Sequence, residues 1–85
     1  MKTFSYTIKD PLGIHARPAG LLVKAVKCTD SRVVLEKEGK SVNADRLLSV
    51  MGLGVRCGDT ITITINDGDE EASLTAIRNF FENNL

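Results

Sequence analysis

Along this chain the spacing of apolar side chains switches repeatedly between a period of two and a helical period. Phe4, Tyr6 and Ile8 alternate with Thr3, Ser5 and Thr7, which predicts a strand over residues 2–8. Asp10-Pro11-Leu12-Gly13 breaks that strand. Ala19, Leu22, Val23 and Val26 then share one face at helical spacing, predicting a helix over 16–27. The β-branched, apolar run from Arg32 to Lys37 predicts a second strand. Glu38-Gly39 turns it, and Lys40 to Asn43 returns as a hairpin partner. Leu47, Leu48 and Met51 suggest two helical turns within residues 44–51, ended near Gly52 and Gly54. Residues 60–65 read Thr-Ile-Thr-Ile-Thr-Ile, a strand with its isoleucines inward and its threonines toward water. Asp67-Gly68-Asp69-Glu70-Glu71 opens a last helix. Asp67, three residues before Glu70, makes a capping-box pattern, and the acidic first turn suits the helix dipole. Leu74, Ile77 and Phe81 form its buried stripe, with Phe80 alongside.

The order β-α-β-β-α-β-α predicts an α+β fold. An antiparallel sheet with helices on one face gives each strand one covered side and each helix a place for its apolar stripe. The length of 85 residues fits a single domain spanning residues 1–85. With 42% hydrophobic and 26% charged residues, the composition is that of a folded chain and not a disordered one. Eleven basic residues balance eleven acidic ones, which argues against the basic field of a nucleic-acid binder. No apolar run approaches the ~20 residues of a membrane span, and Met1 to Thr7 lacks the apolar stretch of a secretory signal. A cytoplasmic protein without membrane insertion is expected. Cys28, Cys57 and the one histidine match no metal-ligand spacing, so the cysteines are read as reduced, small, semi-buried apolar residues. No metal and no cofactor are expected.

The segment Gly13-Ile14-His15-Ala16-Arg17-Pro18-Ala19-Gly20 carries the candidate chemistry. Pro18 lacks an N–H and fits the first turn of a helix, where amides have no internal acceptor. This places His15 at the N-cap and Ala16 and Arg17 in the first turn with free backbone N–H groups. The imidazole is a nucleophile that could hold a phosphoryl group covalently. The two amides would receive phosphoryl oxygens, and the Arg17 guanidinium would fork onto the same oxygens. Preset donors of this kind are what phosphoryl transfer chiefly requires.

These residues resemble the active-site signature of the HPr family, the histidine phosphocarriers of the phosphoenolpyruvate sugar phosphotransferase system. Gly39-Lys40-Ser41-Val42-Asn43-Ala44 is similar to the family's hairpin and second-helix entry, and Leu53-Gly54 followed by Gly58-Asp59-Thr60-Ile61-Thr62-Ile63 to its approach to the fourth strand. Asp69-Glu70-Glu71-Ala72 is similar to the start of its last helix. The resemblance implies an open-faced β-sandwich, a four-stranded antiparallel sheet with three helices on one face. It implies that Enzyme I phosphorylates His15 at Nδ1, that EIIA domains of sugar permeases receive the group, and that Arg17 assists both steps. Such a carrier is not itself a catalyst. Any Mg²⁺ would belong to Enzyme I, because no carboxylate pair adjoins His15 and Asp10 is taken to lie on the far side of Pro11.

One departure concerns regulation. Many relatives from low-GC Gram-positive bacteria carry a regulatory serine where this chain has Arg46. Arginine cannot be phosphorylated by the serine kinase, and it puts a positive charge where regulation would add a negative one. Ser41 and Ser49 do not align with that position, and Asp45 or Asn43 is expected to cap the short helix instead.

A docking face is expected beside His15. Leu21 lies opposite the core stripe of the first helix, and Leu47, Leu48 and Met51 cannot all face inward. Arg17, Lys24, Lys27, Arg46 and Arg56 would rim this apolar centre and suit acidic partners. The resemblance assigns docking to the first two helices, here Gly20, Leu21, Lys24, Leu47, Leu48 and Met51. A small, quickly released interface and a monomeric carrier are expected. The alternatives are a regulatory docking module or nitrogen-branch paralogue without a sugar-relay role, and an interaction domain without phosphoryl chemistry.

Overall fold

The computed structural model describes all 85 residues. Its elements run β1 (Lys2–Thr7), α1 (Ala16–Lys27), β2 (Arg32–Lys37), β3 (Lys40–Asn43), α2 (Leu47–Gly52), β4 (Thr60–Asn66) and α3 (Glu70–Asn84). The four strands form one antiparallel sheet in the order β1-β4-β2-β3. The most regular strand, β4, therefore becomes a central one, between the first two strands of the chain.

Register explains why this pairing buries the right side. Ile63 sits opposite Phe4 on one side and Leu35 on the other, and Leu35 sits opposite Val42. Ile61 pairs with Tyr6, and Ile65 with Val33. These cross-sheet rows turn one face of the sheet into continuous apolar surface, as a period of two requires. Ile61, Ile63, Ile65 and Leu35 are fully buried there. Phe81 of α3 caps the face. Its ring lies edge-on to Phe4 at 6.2 Å and tilted against Tyr6 at 5.4 Å, favourable geometries for aromatic pairs. Helix α1 packs against both α3 and α2. Its buried residues include Ala19, Leu22, Val23 and Val26, the expected stripe.

Several local expectations are corrected. Ile8 lies beyond the β1 ladder, but its amide donates to the Asp59 carbonyl and its side chain stays buried. Thr62 and Thr64 are half-buried, because β4 has neighbours on both sides. Residues 44–46 are not helical. The Ala44 amide donates to the Val33 carbonyl, and helix α2 begins only at Leu47. Arg46 is its N-cap and contributes no side-chain bond, so neither Asp45 nor Asn43 supplies the expected cap. At α3 the capping roles are divided. Asp69 accepts from the Ala72 amide, while Glu70 reaches back to accept from the Asp67 amide. Ser73 is buried where Leu74 is only half-buried; the Ser73 and Ser31 hydroxyls share a 2.7 Å hydrogen bond that satisfies the buried oxygen. Cys28 and Cys57 are both exposed free thiols, not semi-buried. Each lies just past an element or within a loop, where backbone bonding and not side-chain packing fixes the chain.

The loop after α2 is stapled to the sheet by charge. Lys37, at the end of β2, lies 2.9 Å from the Asp59 carboxylate and donates to the Gly54 carbonyl. The same Asp59 oxygen accepts from the Arg56 amide. The Lys37 hydrogen bond, followed by that amide, holds the Asp59 carboxyl below its ordinary value. A depressed carboxyl adds stability that is present above the unfolded value and lost as pH falls through the folded one. Asp59→Asn keeps the acceptor for Arg56 but removes the charge. Its melting temperature should fall below that of the parent at neutral pH, and the gap should close as pH drops below about 4, the ordinary aspartate range. A gap that stays constant across that range in thermal melts would exclude this role.

Candidate functional site

The site is built where two loops cross. The turn over residues 10–13 closes through a hydrogen bond from the Gly13 amide to the Asp10 carbonyl. Gly13 then adopts a φ of +68°, in the left-handed region that favours glycine. A Cβ at Gly13 would collide with the Val55 carbonyl oxygen and lie 2.8 Å from the Arg56 Cα. Only a residue without a side chain can pass the 53–59 loop this closely. The next amide, Ile14, donates to that same Val55 carbonyl, and the Ile14 side chain enters the core. The Lys37–Asp59 staple holds one side of the crossing, and Gly13 and Ile14 hold the other.

His15 follows directly and is the N-cap of α1, as expected. Its backbone is extended, and its carbonyl accepts from the Ala19 amide. Its side chain makes no capping bond, so the first-turn amides of Ala16 and Arg17 keep no internal acceptor. Pro18 has no amide to satisfy and is buried. Ala16 and Arg17 are exposed, and no ion pair engages the Arg17 guanidinium. His15, Arg17, Pro18 and Leu21 line one open depression of about 230 Å³ together with Asp10 and Asn84.

The position of Asp10 overturns an expectation. It does not lie on the far side of Pro11. Its Oδ2 is 3.7 Å from His15 Nε2. The turn through Pro11, Leu12 and Gly13 folds the chain back, so residues five apart in sequence face each other. Asp10 and Asn84 were not singled out in the sequence. The Asp-Pro-x-Gly turn was the signal that could have found Asp10, since such a turn brings its first residue back toward the chain that follows. Asn84 carried no local signal, because only the packing of α3 brings the last turn here.

The expected docking residues lie on α1 and α2, two helices that pack against each other. Leu21 on α1 is 44% exposed, and on α2 Leu47, Leu48 and Met51 are 41%, 84% and 39% exposed. Val50 is the inward residue of α2. Gly20 is half-buried; Lys24, Lys27, Arg46 and Arg56 are exposed. Leu12, in the turn before His15, is a further exposed apolar side chain, 72% accessible. No group of three or more His, Cys, Asp or Glu side chains is placed to hold a metal ion. No helix is long and apolar enough to cross a membrane.

Fold and site together define a small α+β protein that presents a histidine at an open helix N-terminus. Residues 2–83 match the family described as "PTS HPr component phosphorylation site". The phosphocarrier protein HPr of Mycoplasma genitalium is 41% identical over 85 residues, covering 99% of this chain and 97% of its own. The crystal structure of HPr-C-His from Thermoanaerobacter tengcongensis superimposes with a TM-score of 0.91 at 35% identity, covering 96% of this chain and 92% of that one. The Bacillus subtilis catabolite-repression protein Crh, described as a swapped, intertwined dimer, gives a TM-score of 0.78 at 30% identity over 100% of this chain and 98% of that one. The chain belongs to the HPr family.

Gly13→Ala tests the crossing that positions His15. The positive φ and the backbone collision should together lower stability by about 2–4 kcal/mol. Chemical denaturation measures this, and the Ile14 and His15 amide resonances should move with it. Parent-like stability with unmoved resonances would show that the crossing is dispensable.

Proposed function

We propose that this chain is a stoichiometric phosphoryl carrier that accepts the group on His15 Nδ1 from phospho-Enzyme I and passes it to EIIA domains of sugar permeases. Family membership supports the carrier role. The observation that carries the residue assignment is His15 at the N-cap with two open amides and an unpaired arginine beside it. Nε2 faces the Asp10 carboxylate, which leaves Nδ1 as the ring nitrogen for phosphorus. Its lone pair attacks phosphorus while the donor's bond to phosphorus breaks and the donor keeps that electron pair. The Ala16 and Arg17 amides and the Arg17 guanidinium receive the phosphoryl oxygens.

The openness of the site suits a carrier. A group bound tightly in its resting state would be slow to leave, so donors should act mainly when charge develops during transfer. Arg17, held by no partner, can meet the group on arrival and on departure. All 85 residues would act as one domain, cytoplasmic and monomeric, without direct contact with nucleic acid. The apolar residues Leu21, Leu47, Leu48 and Met51, rimmed by basic side chains, would dock both partners and cover His15 during transfer. The regulatory docking reading draws on Arg46, which stands at the N-cap of α2 where a phosphorylatable serine is expected. It leaves His15 and the open amides without a task and is the weaker reading.

Incubation with phosphoenolpyruvate, Mg²⁺ and Enzyme I should add one phosphoryl group, seen as an acid-labile adduct by intact mass. His15→Ala should take up none while melting like the parent. An adduct retained in that variant would refute the assignment. Leu48→Glu places a charge at the most exposed point of the docking face. It should weaken binding to Enzyme I at least about tenfold by titration calorimetry, as loss of a central apolar contact does, without changing the melt. Unchanged affinity would move the docking face elsewhere.

A further inference from the structure

We propose that Asp10 is a positioning residue that keeps the His15 proton on Nε2 and so leaves Nδ1 as the nucleophile. The inference rests on the carrier reading and adds to it a reason for the choice of ring nitrogen. Neutral imidazole exists as two tautomers, and the group facing one nitrogen decides which carries the proton. A carboxylate can only accept, so Asp10 Oδ2 at 3.7 Å favours the proton on Nε2. The separation is slightly longer than a hydrogen bond, as contacts of this kind often are before a reaction partner arrives.

Asp10 is better fixed than an ordinary surface carboxylate. Its amide donates to the Leu85 carbonyl at 2.8 Å, and its carbonyl accepts from Gly13 at 2.9 Å. Its other carboxylate oxygen, Oδ1, accepts from the Leu12 amide at 2.8 Å. The side chain is 24% exposed, less than the 36% of His15. One oxygen is thus committed to the turn and the other is left to face the imidazole. No cation competes for it, since none of the chain's other ion pairs involves Asp10.

The arrangement acts in both directions of transfer. When Nδ1 forms its bond to phosphorus, the donor's bond breaks and the ring becomes a phosphorylated imidazolium that retains its Nε2 proton. That positive charge appears beside the Asp10 carboxylate. On onward transfer the N–P bond breaks, its electron pair returns to Nδ1, and the neutral Nε2–H ring is restored. No proton has to leave or enter the site in either step.

Asp10→Asn separates this role from the turn. The amide oxygen still accepts from Leu12, but the amide nitrogen now faces Nε2 as a donor and favours the proton on Nδ1. Nitrogen-15 spectra of the His15 ring at mildly alkaline pH should show the Nε2–H form predominant in the parent and a shift toward the Nδ1–H form in the variant. Transfer from phospho-Enzyme I, followed by rapid quench and intact mass, should slow by about tenfold or more, with the melt unchanged. An unshifted tautomer, or a shifted tautomer with a parent-like rate, would overturn the proposal. If the parent itself takes up no phosphoryl group, the carrier reading fails, and the ring spectra alone decide whether Asp10 sets the tautomer.

Discussion

Everything at the candidate site depends on the close passage of Gly13 beneath the Val55 carbonyl. The Ile14 amide closes that contact by donating to the same oxygen. Without it the helix that begins at Ala16 would have no fixed entry direction, because His15 itself makes no side-chain cap. Most helices end their free amides against a capping oxygen. Here the backbone crossing replaces the cap as the source of order, and the amides stay available. The crossing is in turn held by the loop that Lys37 and Asp59 staple to the sheet. The path from the core to His15 thus runs through backbone contacts, which tolerate little displacement.

The first helix serves two surfaces at once. Ala19, Leu22, Val23 and Val26 bury one side in the core, while Leu21 and Lys24 remain outward on the other. A short α2 adds Leu47, Leu48 and Met51 beside them and gives up only Val50 to the core. For so small a helix that is poor economy of apolar surface, since an exposed leucine contributes little to folding. The proposed docking face, covered only in a transient complex, would account for it. On the same reading the basic rim would steer an acidic partner without adding much to the lifetime of the complex.

Much of this was legible in the sequence because its signals were local. The alternation in residues 60–65 fixed which side of the strand is covered, and Pro18 fixed the start of the first helix. The failures share a cause. Residues 44–46 carry helix-compatible side chains, but the Ala44 amide is claimed by the Val33 carbonyl of a neighbouring strand, a bond that no local pattern reveals. Asp67 and Glu70 have capping-box spacing, yet the helix starts later and Asp69 takes the capping role. Asp10 is hidden from a local reading because Pro11 resembles a separator. It is part of a turn that brings Asp10 back to His15. Asn84 and Leu85 reach the site only through the packing of α3, far from Asp10 and His15 in sequence.

Arg46 bears on how such a surface could be controlled. It stands at the N-cap of α2, exposed and without a capping bond, next to the apolar residues of that helix. A negative group there would be favoured by the free amides of the first turn and would oppose an acidic partner. Arginine does the reverse on both counts. Its charge is unfavourable beside the helix N-terminus and favourable toward an acidic partner, so the position trades a small local cost for a constant attraction. As a docking face, a surface built this way would be permanently set for its partners. Control of the proposed relay would then fall to the supply of phosphoryl groups to His15, because the docking face itself carries no residue at that position whose charge can be changed by a kinase.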